Sequence, residues 1–383
     1  MDTCARRRSS RLAAALLAAA LFPLGGHAQT APEKRAAKAK PWSAPRTPDG
    51  KPDLQGTWTN ATITPLERAA TFTNLALTEE EAAKLEKGLA DRKERLAQPS
   101  DPNRTAPPKG GDGSTGAAGN VGGYNYFWID PGEKIAIVKG ERRSSLIVDP
   151  PDGKVPPLTE AARARQAERL RAAAGRGQYD HPESRPLGER CILSFGSSSG
   201  PPMLPNYFYN NNYQIVQTPD HVMILVEMVH DARVIRMGGE RLPRHVRPWM
   251  GDSIGRWEGD TLVVETTNFH PAQTFRGASD NLKVIERFDR IDNDTILYRF
   301  TIDDPTTFTR PWSGEVPFRR TDEMIYEYAC HEGNYALSNV LSGARYQEKQ
   351  RALAEKQEKQ EKQEKQDQEK QENQEKQNQE KQK

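Results

Sequence analysis

The chain has 383 residues, with 55 Lys and Arg against 53 Asp and Glu, so its net charge is +2 with histidine neutral. Residues 1–28 hold four arginines against one aspartate, and residues 347–383 hold ten basic against ten acidic groups, which leaves the body between them near −1. A body this close to neutral excludes nucleic acid as the expected partner, since phosphate neutralisation needs a basic excess. A mean hydropathy of −0.84, with no long apolar run, excludes a multi-span membrane protein.

At the N-terminus, Arg6, Arg7, Arg8 and Arg11 precede an Ala/Leu stretch from Leu12 to Leu24 and the small-x-small site Gly26-His27-Ala28. That order predicts a cleaved export signal over residues 1–28 and a periplasmic or secreted product with no transmembrane anchor. Cys4 precedes the apolar stretch and cannot accept a lipid. Residues 29–45 read as a flexible leader, and residues 46–346 as a single β-rich domain. A helix is expected over Thr78–Gln98, where Thr78-x-x-Glu81 forms a capping box. A second is expected over Thr159–Ala174, ended by Gly175. Both are rich in charge and alanine and read as surface insertions. The Pro/Gly/Ser/Asn stretch 99–123 reads as a loop.

Early strands are predicted at Gln55–Thr62, Tyr124–Asp130 and Ser145–Asp149. From Tyr207 onward, β-branched and aromatic runs alternate with Gly, Asn or Asp turns, which is the hairpin signal. Tyr213–Val216 turns into Val222–Val226, Arg256-Trp257 into Thr261–Val264, and Val284–Ile291 into Thr295–Ile302. A fourth hairpin is expected from Phe318 into Met324–Tyr328. Hairpins in series without intervening helices predict a mostly β, antiparallel meander. It would hide its edges by closing into a barrel or packing as a sandwich.

Two blocks, Thr47-Pro-Asp-Gly-Lys-Pro-Asp-Leu-Gln-Gly-Thr-Trp58 and Trp249-Met-Gly-Asp-Ser-Ile-Gly-Arg-Trp-Glu-Gly-Asp260, resemble sequences of a group of uncharacterised exported bacterial proteins. That resemblance implies export and transfers no activity. Gly56-x-Trp58 is also similar to the element that opens lipocalin barrels, which tilts the expectation from sandwich to a lipocalin-like barrel.

Cys191 and Cys330 remain after cleavage, and an exported chain with one such pair is expected to join them in a disulfide. Gly196-Ser-Ser-Ser-Gly200 has the form of a nucleophile elbow, but Pro201-Pro202 follow where the elbow needs a helix, so it reads as a loop. The glycine-rich stretch 110–123 lacks Gly-Lys-Ser/Thr and is not a phosphate loop.

The candidate chemistry centres on two histidines beside carboxylates, His230-Asp231 and His331-Glu332. Either can serve as an acid or base near neutral pH, or merely satisfy strand-end backbone groups. No paired histidine spacing exists, so no metal or other cofactor is assigned. Arg233, Trp249, Asp252 and Arg256 are candidate ligand contacts, by polarising or stacking on a ring. Glu227, Glu265, Glu286 and Glu327 interrupt apolar strands. A solvent-facing Glu is the default, whereas an inward Glu286, paired with Arg287 or Arg299, would be costly and therefore a site candidate. The Glu/Lys/Gln tail 347–383 lacks apolar heptad positions and reads as a solvated, transiently helical appendage.

The leading expectation is an exported barrel protein holding a small apolar or aromatic-ring molecule. Isomerase, lyase or hydrolase chemistry through His230 or His331 would be an extension of that role. The alternative is an envelope or extracellular interaction protein without a small-molecule site. A barrel interior filled by its own side chains favours the alternative, and a cavity lined by His and Arg favours the first.

Overall fold

The structure, a computed structural model, describes residues 42–98, 131–194, 200–206, 209–273 and 275–381, with isolated positions between 103 and 129. The expected export signal, most of the expected leader, the strand expected at Tyr124–Asp130 apart from Ile129, and the serines of the Gly-Ser-Ser-Ser-Gly loop lie outside the described residues. In chain order the elements are β1 (Gly56–Thr59), β2 (Ala76–Leu77), α1 (Glu79–Ala97), β3 (Ile137–Val138), β4 (Glu141–Arg143), β5 (Ile147–Asp149) and α2 (Glu160–Ala174). The strand-rich part follows with β6 (Asn212–Gln217), β7 (His221–Val226), β8 (Asp231–Met237), β9 (Asp252–Glu258) and β10 (Thr261–Thr267). It continues through β11 (Lys283–Arg290), β12 (Thr295–Asp303) and β13 (Trp312–Arg320) to the long helix α3 (Tyr335–Glu380).

The large sheet runs β1-β6-β7-β8-β9-β10-β11-β12-β13-β5, and an additional pairing of β1 with β13 closes it into a barrel. The closing register sets Trp58 opposite Arg320 and Thr59 opposite Arg319. β5 pairs with the other end of β13, at Ser313 and Gly314. β2, β4 and β3 form a small separate sheet. The expected barrel is therefore present, with three of the four expected hairpins realised as β6–β7, β9–β10 and β11–β12.

Two features depart from a pure meander. β8 and β9 pair in parallel, through Arg236 with Ile254 and Met237 with Gly255. The connection over residues 238–251 supplies the long crossover that a parallel pair needs. The fourth hairpin does not form, because β1 takes the edge of β13 that Met324–Tyr328 would have used. That segment is an irregular arm in which Met324 and Tyr326 are 68% and 63% exposed.

Side-chain alternation fills the barrel. The inward residues of β12 are Ile296, Tyr298, Phe300 and Ile302, which meet Phe318, Val316, Gly314 and Trp312 of β13. Trp58, Tyr213, Phe288, Tyr298, Phe300, Trp312 and Phe318 are each no more than 1% exposed. Gly314 makes room for this packing, since a Cβ there would lie 2.4 Å from Cζ of Phe300. At one end the indole of Trp58 donates to the Leu54 carbonyl (2.9 Å) and lies under the guanidinium groups of Arg320 (4.9 Å) and Arg290 (5.7 Å). Gly56 has φ +126°, and a Cβ on it would stand 3.1 Å from Nη1 of Arg320. The Gly-x-Trp element thus has a physical basis here: glycine admits the arginine that covers the tryptophan.

Both expected helices form. Thr78 caps α1 with the full capping box, and the Thr159 hydroxyl accepts from Ala162 N–H (3.1 Å) at the start of α2. α3 is a third helix, which begins well before the tail and runs through it. Among the described residues, no helix is long and apolar enough to cross a membrane.

Candidate functional site

Inside the barrel, β8, β9, β10, β11 and β12 each contribute one polar residue to a buried cluster. Register places Arg233 opposite Ile224, Ser253 opposite Thr266, Val264 opposite Glu286, and Glu286 opposite Phe300, so all share the inner face. Arg233 and Glu286 form an ion pair, with Nη1 donating to Oε1 (3.0 Å) and Nη2 to Oε2. Their side chains are 3% and 0% exposed. Arg233 also donates from Nε to Ser253 (3.1 Å) and from Nη2 to Thr266 (3.2 Å), and these two hydroxyls bond each other (2.9 Å). The Tyr298 hydroxyl donates to Oε1 of Glu286 (2.9 Å) and accepts from Met203 N–H (3.0 Å). Burial raises the Tyr298 pKa well above its ordinary value, and the Glu286 charge adds to this.

The inward Glu286 is therefore real, but the expected partners are corrected. Arg287 and Arg299 face outward, where they meet Glu258 and Asp289, and the interior cation is Arg233. The cluster is satisfied by its own members, so Arg233 is not free to polarise a substrate.

The remaining candidates are scattered. His230 is exposed and Asp231 half-buried, at the turn between β7 and β8. Val229 and His230 adopt φ +66° and +60°, a strained conformation for a β-branched residue. Burial raises the Asp231 carboxyl, an effect the neighbouring His230 opposes. Glu227, expected within a strand, caps this turn and is 2% exposed. Among the described residues its carboxylate meets a single donor, Tyr326 N–H at 3.3 Å.

His331 is exposed beyond the arm. Among the described residues, neither the His230 nor the His331 imidazole has a hydrogen-bond partner. Cys191 and Cys330 form the expected disulfide, with Cα atoms 5.7 Å apart. Asn334 donates to the Glu189 carbonyl (2.8 Å) and to Sγ of Cys191 (3.3 Å) beside it.

Trp249 stacks on His270, with ring centroids 3.7 Å apart. Asp252 is 3% exposed and fixes the crossover between β8 and β9, accepting from Arg236 (2.7 Å) and from Leu242 N–H (2.8 Å). Arg256 lies outside the barrel in an exposed ladder with Glu258 and Glu265. Asp252 and Arg256 thus both sit in ion pairs, and strand parity turns Arg256 away from the interior.

Sequence reasoning missed Ser253, Thr266 and Tyr298. The signal was parity: each is a polar side chain at an inward position of a strand. Among the described residues, no three His, Cys, Asp or Glu side chains could hold a metal ion together. A surface groove of about 440 Å³ beside α1 is lined by charged residues, among them Glu86, Lys93 and Lys134, and by none of the expected site residues.

Comparisons with protein-family models, with curated proteins and with solved structures find no match for this chain.

Proposed function

We propose that this is an exported, periplasmic or secreted interaction protein, in which the barrel is a scaffold and the arm with the first turns of α3 is the working surface. The observation that carries this reading is the filled interior. A cavity able to hold a small molecule would leave accessible area on the side chains lining it. Trp58, Tyr213, Phe288, Tyr298 and Phe318 instead have 0% each. Against that buried core, the arm and α3 present Met324, Tyr326, Tyr335 and Tyr346 at 68%, 63%, 74% and 65% exposure. Exposed aromatic and methionine side chains are what protein contact sites enrich. The disulfide and the absence, among the described residues, of a membrane-spanning helix are compatible with a location outside the cytoplasm.

A photo-crosslinking side chain placed at Tyr326 or Tyr335, in cells producing the chain, tests the reading. Discrete adducts at those positions, and none at a control such as Lys283, are expected. Equal adducts at all three, or none, would count against it.

A second reading keeps the small-molecule site, at the rim formed by Glu227, His230 and Asp231. It is favoured by the buried Glu227 carboxylate, which has one backbone donor where an ionised group ordinarily needs more. A ligand screen by thermal shift, repeated with His230→Ala and His331→Ala, separates the two. A hit lost on His230→Ala and kept on His331→Ala would support the rim site, and equal stabilisation of all three forms would remove it.

A further inference from the structure

The part of α3 that follows the contact of Arg345 with Asp180 has a composition that addresses its own stability. Arg345 reaches Asp180 (3.7 Å) and Glu348 (2.7 Å). Among the described residues beyond Glu348, side-chain bonds stay within the helix. Lys362 bonds Glu358 (2.6 Å), Gln363 bonds Asp367 (3.1 Å) and Lys370 meets Asp367 (3.6 Å).

The repeat explains why such pairs recur. Where Glu-Lys-Gln repeats every three residues, each Glu has a Lys four positions on: Glu355 with Lys359, Glu358 with Lys362, Glu361 with Lys365. That is the favoured order for an ion pair on a helix surface, with the acid toward the N-terminus. Residues 347–380 contain no Gly, Pro, Ser, Thr, Val or Ile, and consist mainly of strong helix formers.

The same period forbids a seam. Residues three apart rotate by about 60° from register on a helix of 3.6 residues per turn, so like side chains wind around the axis. No apolar stripe accumulates after Leu353, and a coiled coil has nothing to bury.

We propose that residues 347–380 form a self-supporting helical spacer. It holds the residues at its far end about 50 Å from the contact of Arg345 with Asp180, at 1.5 Å per residue. It needs no partner helix, and it is independent of what the arm binds.

Distance measurement by spin labels in the full chain tests this. Labels go on Gln347→Cys and Gln374→Cys in a Cys4→Ser background, which leaves Cys191 and Cys330 joined. A helix places these positions about 40 Å apart with a narrow distribution. A flexible chain of the same length gives a broad distribution near 30 Å. The narrow, longer distance is expected. It should collapse to the broad one when Lys359→Glu, Lys362→Glu and Lys365→Glu set like charges four apart. A broad distribution near 30 Å in the unsubstituted repeat would overturn the proposal. So would a narrow one that appears only at concentrations where the chain self-associates. A 40 Å distance that survives the triple substitution would refute the ion-pair origin of the stiffness.

Discussion

The ion pair inside the barrel is the feature with the largest measurable consequence. Replacing Glu286 by Leu removes the carboxylate and leaves the Arg233 guanidinium charged, with its remaining bonds going to the Ser253 and Thr266 hydroxyls. Both side chains are essentially inaccessible, at 3% and 0%. Breaking such a pair from one side costs about 3–5 kcal/mol. Tyr298 also loses the acceptor for its hydroxyl proton, because its other partner, Met203 N–H, is a donor. That orphaned donor adds about 1–3 kcal/mol. Replacing both charges, as Arg233→Met with Glu286→Leu, removes the uncompensated cation and leaves mainly the Tyr298 term.

Three proteins and the parent, followed by urea unfolding at neutral pH, give the cycle. Each single substitution is expected to cost at least about 3 kcal/mol. The double should cost less than either single, with the coupling energy exceeding about 2 kcal/mol. At about 2–4 °C per kcal/mol, Glu286→Leu should lower Tm by roughly 10 °C or more. Single substitutions costing under about 1 kcal/mol, or a double equal to the sum of its parts, would refute a closed, desolvated pair.

Four further outcomes follow from the same geometry. Burial raises the pKa of Tyr213, and burial together with the Glu286 charge raises that of Tyr298, so both keep their protons in the folded state where the unfolded chain ionises. The contribution of these two tyrosines should be constant below about pH 10 and fall above it by roughly 1.4 kcal/mol per pH unit for each, with Tyr298→Phe removing one share. Cys191→Ser should lower unfolding stability by up to about 5 kcal/mol, the chain-entropy value for a closed loop this long, and mass spectrometry of the parent should show neither cysteine alkylated without reductant. Gly314→Ala drives a methyl against Phe300 and the Leu146 carbonyl, at 2.4 and 2.9 Å, and should cost at least about 2 kcal/mol, part of it recovered by Phe300→Leu. Deleting residues 347–383 should leave Tm within about 1 °C, and a larger loss would show that the far part of α3 packs on the barrel.

The antiparallel meander was readable because hairpin turns and strand alternation are local signals, whereas its closure, a long-range pairing of β1 with β13, was favoured over a sandwich only by the Gly56-x-Trp58 similarity. Tyr213 to Ile302 carries three hairpins that the structure realises, the outer two within a residue or so at each end and the middle one with longer strands, Asp252–Glu258 and Thr261–Thr267, than the sequence suggested. The parallel β8–β9 junction was not readable, since strand direction depends on where the crossover 238–251 lies, which no local pattern encodes. The missing hairpin at Met324–Tyr328 shows the same limit. Its β-branched and aromatic run competes with β1 for one edge of β13, and that competition is settled by long-range pairing. The interior cluster was half legible: Arg233 and Glu286 were both named, but from strand context and not as partners. Their contact spans three strands, so no helical or hairpin spacing in the sequence connects them.

The location of these charges bears on function. A protein that binds a ligand inside a barrel keeps polar groups there with unfilled hydrogen-bonding capacity, because those groups give orientation and specificity. Here the five polar groups of the β8–β12 cluster answer one another, whereas among the described residues the inward Trp312 Nε1 and the buried Asn60 Oδ1 have no hydrogen-bond partner. Arg233 meets Glu286, Ser253 and Thr266, while Tyr298 links Glu286 to the buried Met203 backbone. Such a cluster locks the register of five strands and tethers the segment covering them. It leaves Arg233 and Glu286 bonded to each other and to the Ser253, Thr266 and Tyr298 hydroxyls. At the edge, the Glu227 carboxylate accepts from Tyr326 N–H, and the arm exposes Met324 and Tyr326. That arm crosses from the end of β13 to the β7–β8 turn, with bonds at Thr321 and Tyr326 before the disulfide fixes it. On the proposed reading this aromatic-rich arm is the surface that a partner reaches, and the disulfide ties its far end to Cys191.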